Sequence, residues 1–170
     1  VRTRGGFVAE SEALDELFVE VLGSLFNEQA MTIGVGDPRA ISGPRAVSRV
    51  AVRREADGSH VFVEVRMGVQ TAKALAAWML SVPDPDCLDV LDAVGEVANI
   101  LAGGVTSLID GPCQLSLPHA VVAAAGAPDP DGSGVVRRGC VLGQIVELVM
   151  RDSGDTSELL WPGGTMEAGR

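Results

Sequence analysis

Apolar positions along the chain change period several times, and each change marks an element. From Ala13 to Gln29, Leu14, Leu17, Phe18, Val21, Leu22 and Phe26 recur at helical spacing, with Ser11 as a candidate N-cap. MTIGVGDP reads as a short strand broken at Asp37–Pro38, followed by a turn-rich link to Pro44. Ala46–Glu55 and His60–Met67 each alternate apolar and polar residues around an Asp-Gly turn, which predicts a hairpin with one apolar and one solvated face. Thr71–Ser81 is Ala-rich and helical, and ends before Pro83 and Pro85. A long helix is predicted over Leu88–Ile109. QLSLPHAVVAAAG then reads as a strand interrupted or bulged at Pro118, because proline cannot donate to a ladder. VVRRGCVL and QIVELVMR close the pattern as two strands, with Gly143 at or near their turn. The order of helix, strands, two helices and strands predicts an α+β fold with helices packed on a largely antiparallel sheet. An extension over residues 1–12, one domain over 13–151 and a loose tail over 152–170 are expected, with no repeat of 20–50 residues.

The long helix holds the most informative stretch, DAVGEVANILAGG. Asp92, Glu96, Asn99 and Gly103 stand at i, i+4, i+7 and i+11, so at about 100° per residue they share one narrow stripe, which Thr106 and Asp110 extend. Leu88, Leu91, Val94, Ala98, Leu101, Ala102, Val105 and Leu108 are assigned to the core side. A merely solvated surface would also place an acid and an amide outward. Gly95, Gly103 and Gly104 argue for something more, since each glycine inside a helix costs about 0.5–1 kcal/mol relative to alanine. An acid, an amide and small neighbours together make a surface that another molecule can approach closely.

Bulk properties narrow the classes. A chain of 170 residues with 46% hydrophobic content can bury a substantial single core. The net charge of −10 argues against non-specific nucleic-acid or anionic-membrane binding. Cys87, Cys113 and Cys140 are an odd number without CxxC spacing; they are expected as small core residues of a cytoplasmic protein rather than as disulfides. No apolar run is long enough to span a membrane, and VRTRGGF is expected to be a trimmed end rather than a signal peptide. Asp129–Gly134, DPDGSG, matches half of a calcium loop, but its twelfth position is Cys140 instead of glutamate, so a hairpin loop is expected. His60, Cys113, His119 and Cys140 fit no zinc spacing, and no metal site is predicted. GVG lacks the glycine-opened helix of a dinucleotide site, and there is neither a GxSxG nor a P-loop motif.

DAVGEVANILAGG followed by LSLPHAV resembles the signature of the CheC/CheX/FliY family of response-regulator phosphatases. Asp92, Glu96, Asn99 and Pro118 occupy the signature positions, and the resemblance extends over roughly Leu14–Met150. A single ExxN helix points to CheX rather than CheC. The sequence departs from the pattern at Gly104 and Thr106, where Asn and a nearby Lys are frequent, and at His119, where threonine is common. The resemblance implies a cytoplasmic phosphatase that docks on a CheY-like receiver and promotes hydrolysis of its phospho-aspartate. It implies catalytic roles for Asn99, which would hold the attacking water, and Glu96, which would dock against the receiver's lysine. Asp92, Gly103 and Thr106 would line the partner surface, and Pro118 would shape the adjacent strand. It further implies no cofactor of the chain's own, Mg2+ in the receiver, and a homodimer. Two other readings stay open: a non-catalytic adaptor that binds a receiver or flagellar-switch protein through the same face, and a structural or homo-oligomeric module.

Overall fold

A computed structural model of the chain describes residues 11–27, 30–32, 41–126 and 134–152. The elements are α1 (Ser11–Phe26), β1 (Met31–Thr32), β2 (Arg45–Arg54), β3 (His60–Gly68), α2 (Val69–Leu80), α3 (Cys87–Thr106), β4 (Cys113–Leu115), β5 (His119–Ala123), β6 (Val135–Val141) and β7 (Gln144–Asp152). The strands form one sheet in the order β1-β6-β7-β3-β2, and β4 and β5 both pair with the far edge of β2. Every pairing among the described residues is antiparallel. The expected α+β architecture is the one observed. The Ser11 side chain, the expected strand break at Asp37–Pro38, the DPDGS part of the calcium-like loop and the tail beyond Asp152 lie outside the described residues.

Period-two alternation explains how the sheet meets the helices. Ala46, Val50 and Val52 of β2, Val61, Val63, Val65 and Met67 of β3, and Val146, Leu148 and Met150 of β7 all enter the core. There they meet Phe18 and Leu22 of α1, Leu75 of α2, and Val94, Leu101 and Val105 of α3. Each such side chain removed from water contributes about 1.5–3 kcal/mol before conformational entropy is subtracted. Helix α3 lies against β2 and β3, with α1 and α2 packed beside it. No helix among the described residues is long and apolar enough to cross a membrane.

The other sheet face corrects the expectation of a solvated hairpin surface. Glu64, Arg66 and Glu147 are buried there. Arg66 Nε donates to Glu64 Oε1 at 2.6 Å, and Arg49 Nε and Nη2 donate to Glu64 Oε2 at 3.0 and 2.8 Å. Arg138 Nε donates to Glu147 Oε1 at 2.8 Å. Burial pushes the Glu64 pKa up, but the hydrogen bonds from Arg49 and Arg66 outweigh it and hold the carboxyl below its ordinary value. The buried carboxylates of Glu64 and Glu147 are thus met by guanidinium groups, of which Arg49 and Arg138 remain about a third exposed, at 32% and 37%.

Candidate functional site

Helix α3 begins from a capping box. The Asp86 side chain accepts from the backbone N–H groups of Leu88 and Asp89, and the Asp89 carboxylate in turn accepts from the Asp86 N–H. The D-x-x-D signal was present in the sequence beside the proline-rich turn. At the other end the helix stops at Thr106, short of the expected Ile109. Thr106 Oγ1 donates to the Gly103 carbonyl and Ser107 Oγ to the Gly104 carbonyl, both at 2.6 Å, and the next turn tightens to i+3 backbone bonds. Asp110 therefore lies beyond the helix in an exposed bend and does not extend the stripe as expected.

Within the helix the predicted stripe is real. Asp92 and Glu96 are exposed, and Asn99 and Gly103 are half-buried. Relative to Glu96, Gly103 is displaced by about 20°, Asp92 by about 40° and Asn99 by about 60°, all to the same side. Among the described residues, no side-chain hydrogen bond or ion pair engages Asp92, Glu96 or Asn99. Their polar atoms remain available to another molecule. Thr106 borders this group, but its hydroxyl proton is committed to the Gly103 carbonyl.

The three helix glycines, grouped together from sequence, have different roles. A methyl group built on Gly103 would meet nothing within 4 Å, so the surface above it is open. One built on Gly104 would lie 2.5 Å from Leu17 Cδ1 and 2.9 Å from Leu17 Cδ2. Gly104 thus serves the close approach of α1 and does not belong to the outward face. Gly95 is buried under Pro118, whose Cβ and Cγ would stand 3.6 Å from an added methyl group.

Pro118 reaches that position because the strand after α3 is broken, as expected. β4 and β5 both follow β2, at Arg54–Val52 and Arg49–Arg45, with Ser116–Pro118 left between them. Ser116 bridges the break: its backbone N–H donates to the Ala51 carbonyl, and its Oγ accepts from the Ala51 N–H, each at 2.9 Å. Leu117, freed from the ladder, is 75% exposed beside α3. His119 pairs in register with Arg49, which places it on the sheet face opposite α3 and outside the site.

Two further expectations are corrected. Leu88 is not on the core side but 71% exposed, because its helical angle places it beside Asn99 rather than over the sheet; Leu91 and Leu108 are only half-buried. Cys87 is exposed, and Cys113 and Cys140 are half-buried, so the free cysteines are not core residues. Burial pushes the Cys113 thiol pKa up, outweighing the attraction of Arg54. Among the described residues, no three His, Cys, Asp or Glu side chains converge on a point where a metal ion could be held.

A family model described as chemotaxis phosphatase CheX matches residues 50–134. This span includes α3, the Ser116–Pro118 break and β5. No curated protein matches the sequence. Among solved structures, the chain is similar to the chemotaxis protein CheX from Desulfovibrio desulfuricans, with a TM-score of 0.64 and 17% identity over 84% of this chain and 97% of that one. It is similar to CheX from Vibrio vulnificus, with a TM-score of 0.60 and 14% identity over 82% and 96% of the two chains. A third similar structure is the CheX–CheY–BeF3–Mg2+ complex from Borrelia burgdorferi, with a TM-score of 0.58 and 17% identity over 88% and 99%.

Proposed function

Because the chain belongs to the CheX family of chemotaxis phosphatases, we propose that it docks the outward stripe of α3 on a CheY-like receiver and promotes hydrolysis of the receiver's phospho-aspartate. The observation that carries this reading is the state of Glu96 and Asn99. They share an open helix face beside bare Gly103, and no neighbour among the described residues engages their polar atoms. The relative captured with CheY, BeF3 and Mg2+ supports the choice of partner.

Acyl-phosphate hydrolysis needs a water in line with the scissile bond and neutralisation of the phosphoryl oxygens. The receiver's Mg2+ supplies part of that neutralisation. What this chain adds is position. The Asn99 carboxamide carries a donor and an acceptor on one planar group, so it can hold and orient a water without taking its proton. Glu96, almost one turn earlier, is placed to engage the receiver's lysine and fix the helix in the cleft. Asp92, Gly103 and Thr106 border the contact. The departure at Gly104 does not weaken this reading, since that position packs on Leu17 and faces away from the partner. A homodimer and a cytoplasmic setting belong to the same proposal.

The test is acyl-phosphate decay on CheY-type receivers from the same genome. Asn99→Ala is expected to lower turnover by orders of magnitude. Glu96→Ala is expected to act mainly through KM, because it removes a contact made before and during the reaction. Both folds should hold, as truncation of an outward polar side chain typically shifts stability by less than about 0.5 kcal/mol. Equal stimulation by wild type and Asn99→Ala would overturn the water-holding role. Receiver binding without any stimulation of decay would leave the adaptor reading in its place.

A further inference from the structure

We infer that the stripe is framed by apolar anchors, Leu88 and Leu117 with Ile100 opposite, and that these contacts supply most of its affinity for a receiver domain. This rests on the proposed function and extends it from the chemistry to the source of binding.

Leu117 at 75% and Leu88 at 71% are the two most exposed large apolar side chains among the described residues. Both border the same helix face. Leu88 is displaced from Glu96 by about 80°, toward the flank where Gly95 lies at about 100°. The backbone of Leu117 reaches that flank as well, since the adjoining Pro118 is seated on Gly95. Ile100, 37% exposed, lies about 40° to the other side of Glu96. Leu88 sits on the first turn of α3, and Leu117 is held out of the ladder by the Ser116 bridge to Ala51. A scattered exposed leucine needs no explanation, but the two most exposed ones side by side along one flank of a polar stripe do.

Charge selects the occupant. Helix α3 contains Asp89, Asp92 and Glu96 and no Lys, Arg or His, so its face repels a phosphorylated carboxylate unless cations on the partner offset it. The same acidic residues that attract those cations repel the phosphoryl group, so the two effects offset and leave the apolar contacts to supply the surplus. A fitting partner has a cationic centre that meets Glu96 and an apolar rim around it that meets Leu88 and Leu117. Buried apolar anchors around a polar centre that carries the specificity are a common division of labour at protein interfaces.

The experiment measures KM and kcat for receiver dephosphorylation, and separately direct binding to the same receiver loaded with BeF3 and Mg2+. Wild type is compared with Leu88→Ser, Leu117→Ser and, as a control on the distant β6–β7 turn, Leu142→Ser. Each anchor substitution is expected to raise KM and the dissociation constant roughly tenfold with kcat unchanged. Leu142→Ser should leave both constants at the wild-type value. Thermal unfolding of each variant checks the fold, which these exposed positions should not disturb. Anchor variants with wild-type KM, beside an Asn99→Ala variant that has lost kcat, would overturn the anchor proposal and leave the phosphatase reading intact. If wild type accelerates decay of no receiver, the phosphatase reading falls. Binding to the BeF3-loaded receiver then decides the anchors alone: loss of binding on substitution supports them, and absent or unchanged binding overturns them.

Discussion

Gly103 and Gly104 are neighbours in the sequence and in the same helix, yet alanine should have opposite effects at the two positions. At either site, alanine removes backbone freedom from the unfolded chain and gains about 0.5–1 kcal/mol of helix propensity. At Gly103 nothing opposes that gain, since the added methyl group meets no atom within 4 Å. At Gly104 it would approach Leu17 Cδ1 at 2.5 Å, Cδ2 at 2.9 Å and Cγ at 3.2 Å. Cγ is crowded along with both methyl groups, so the Leu17 side chain must leave its present rotamer, giving up its contact with α3, or α1 must shift. Overpacking of this kind costs about 1–3 kcal/mol. The balance is a gain of about 0.5 kcal/mol for Gly103→Ala and a loss of about 1 kcal/mol for Gly104→Ala. For a chain of this size, that difference separates the two thermal midpoints by about 3–6 °C. Circular dichroism melts of the two variants beside wild type measure it directly. Gly103→Ala, although the more stable, should show a raised KM for a phosphorylated receiver, because its methyl group stands on the docking stripe. A Gly104→Ala midpoint at or above that of Gly103→Ala would refute the assignment of Gly104 to the α1 contact.

Two other outcomes follow from the charges. The Glu64 carboxyl has a folded pKa below its unfolded one, so its stabilisation is fully present above the ordinary carboxylate pKa of about 4.5 and is lost as pH falls through the folded value. Urea unfolding between about pH 6 and pH 3 should therefore show a flatter pH dependence in Glu64→Gln than in wild type, and parallel curves would remove Glu64 from the acid response. In the coupled reaction, stripping Mg2+ from the receiver with a chelator should abolish turnover, and added Mg2+ should restore it. The melting midpoint of this chain alone should not move under the same chelator. Turnover that persists in excess chelator would mean a hydrolytic mechanism belonging to this chain alone.

The elements were legible in the sequence because their signals are local. Alternation over Ala46–Glu55 and His60–Met67 follows from the two-residue period of a strand, and it recovers β2 and β3 within a residue or two. Helical spacing recovered α1, and the i, i+4, i+7 spacing of Asp92, Glu96 and Asn99 fixed their common face before any neighbour was placed. The break at Pro118 was equally local, because a missing N–H is a property of the residue itself. Periodicity assigns a residue to a face, but it does not say what lies opposite that face. The tertiary structure alone separated Gly104 from Gly103, by bringing Leu17 against one and leaving the other open. It also buried Glu64 and Arg66 on a sheet face whose sequence pattern reads as solvated, because Arg49 and Glu147 arrive there from neighbouring strands. These outcomes depend on contacts between residues far apart in the chain, and a period of two or 3.6 residues carries no information at that range.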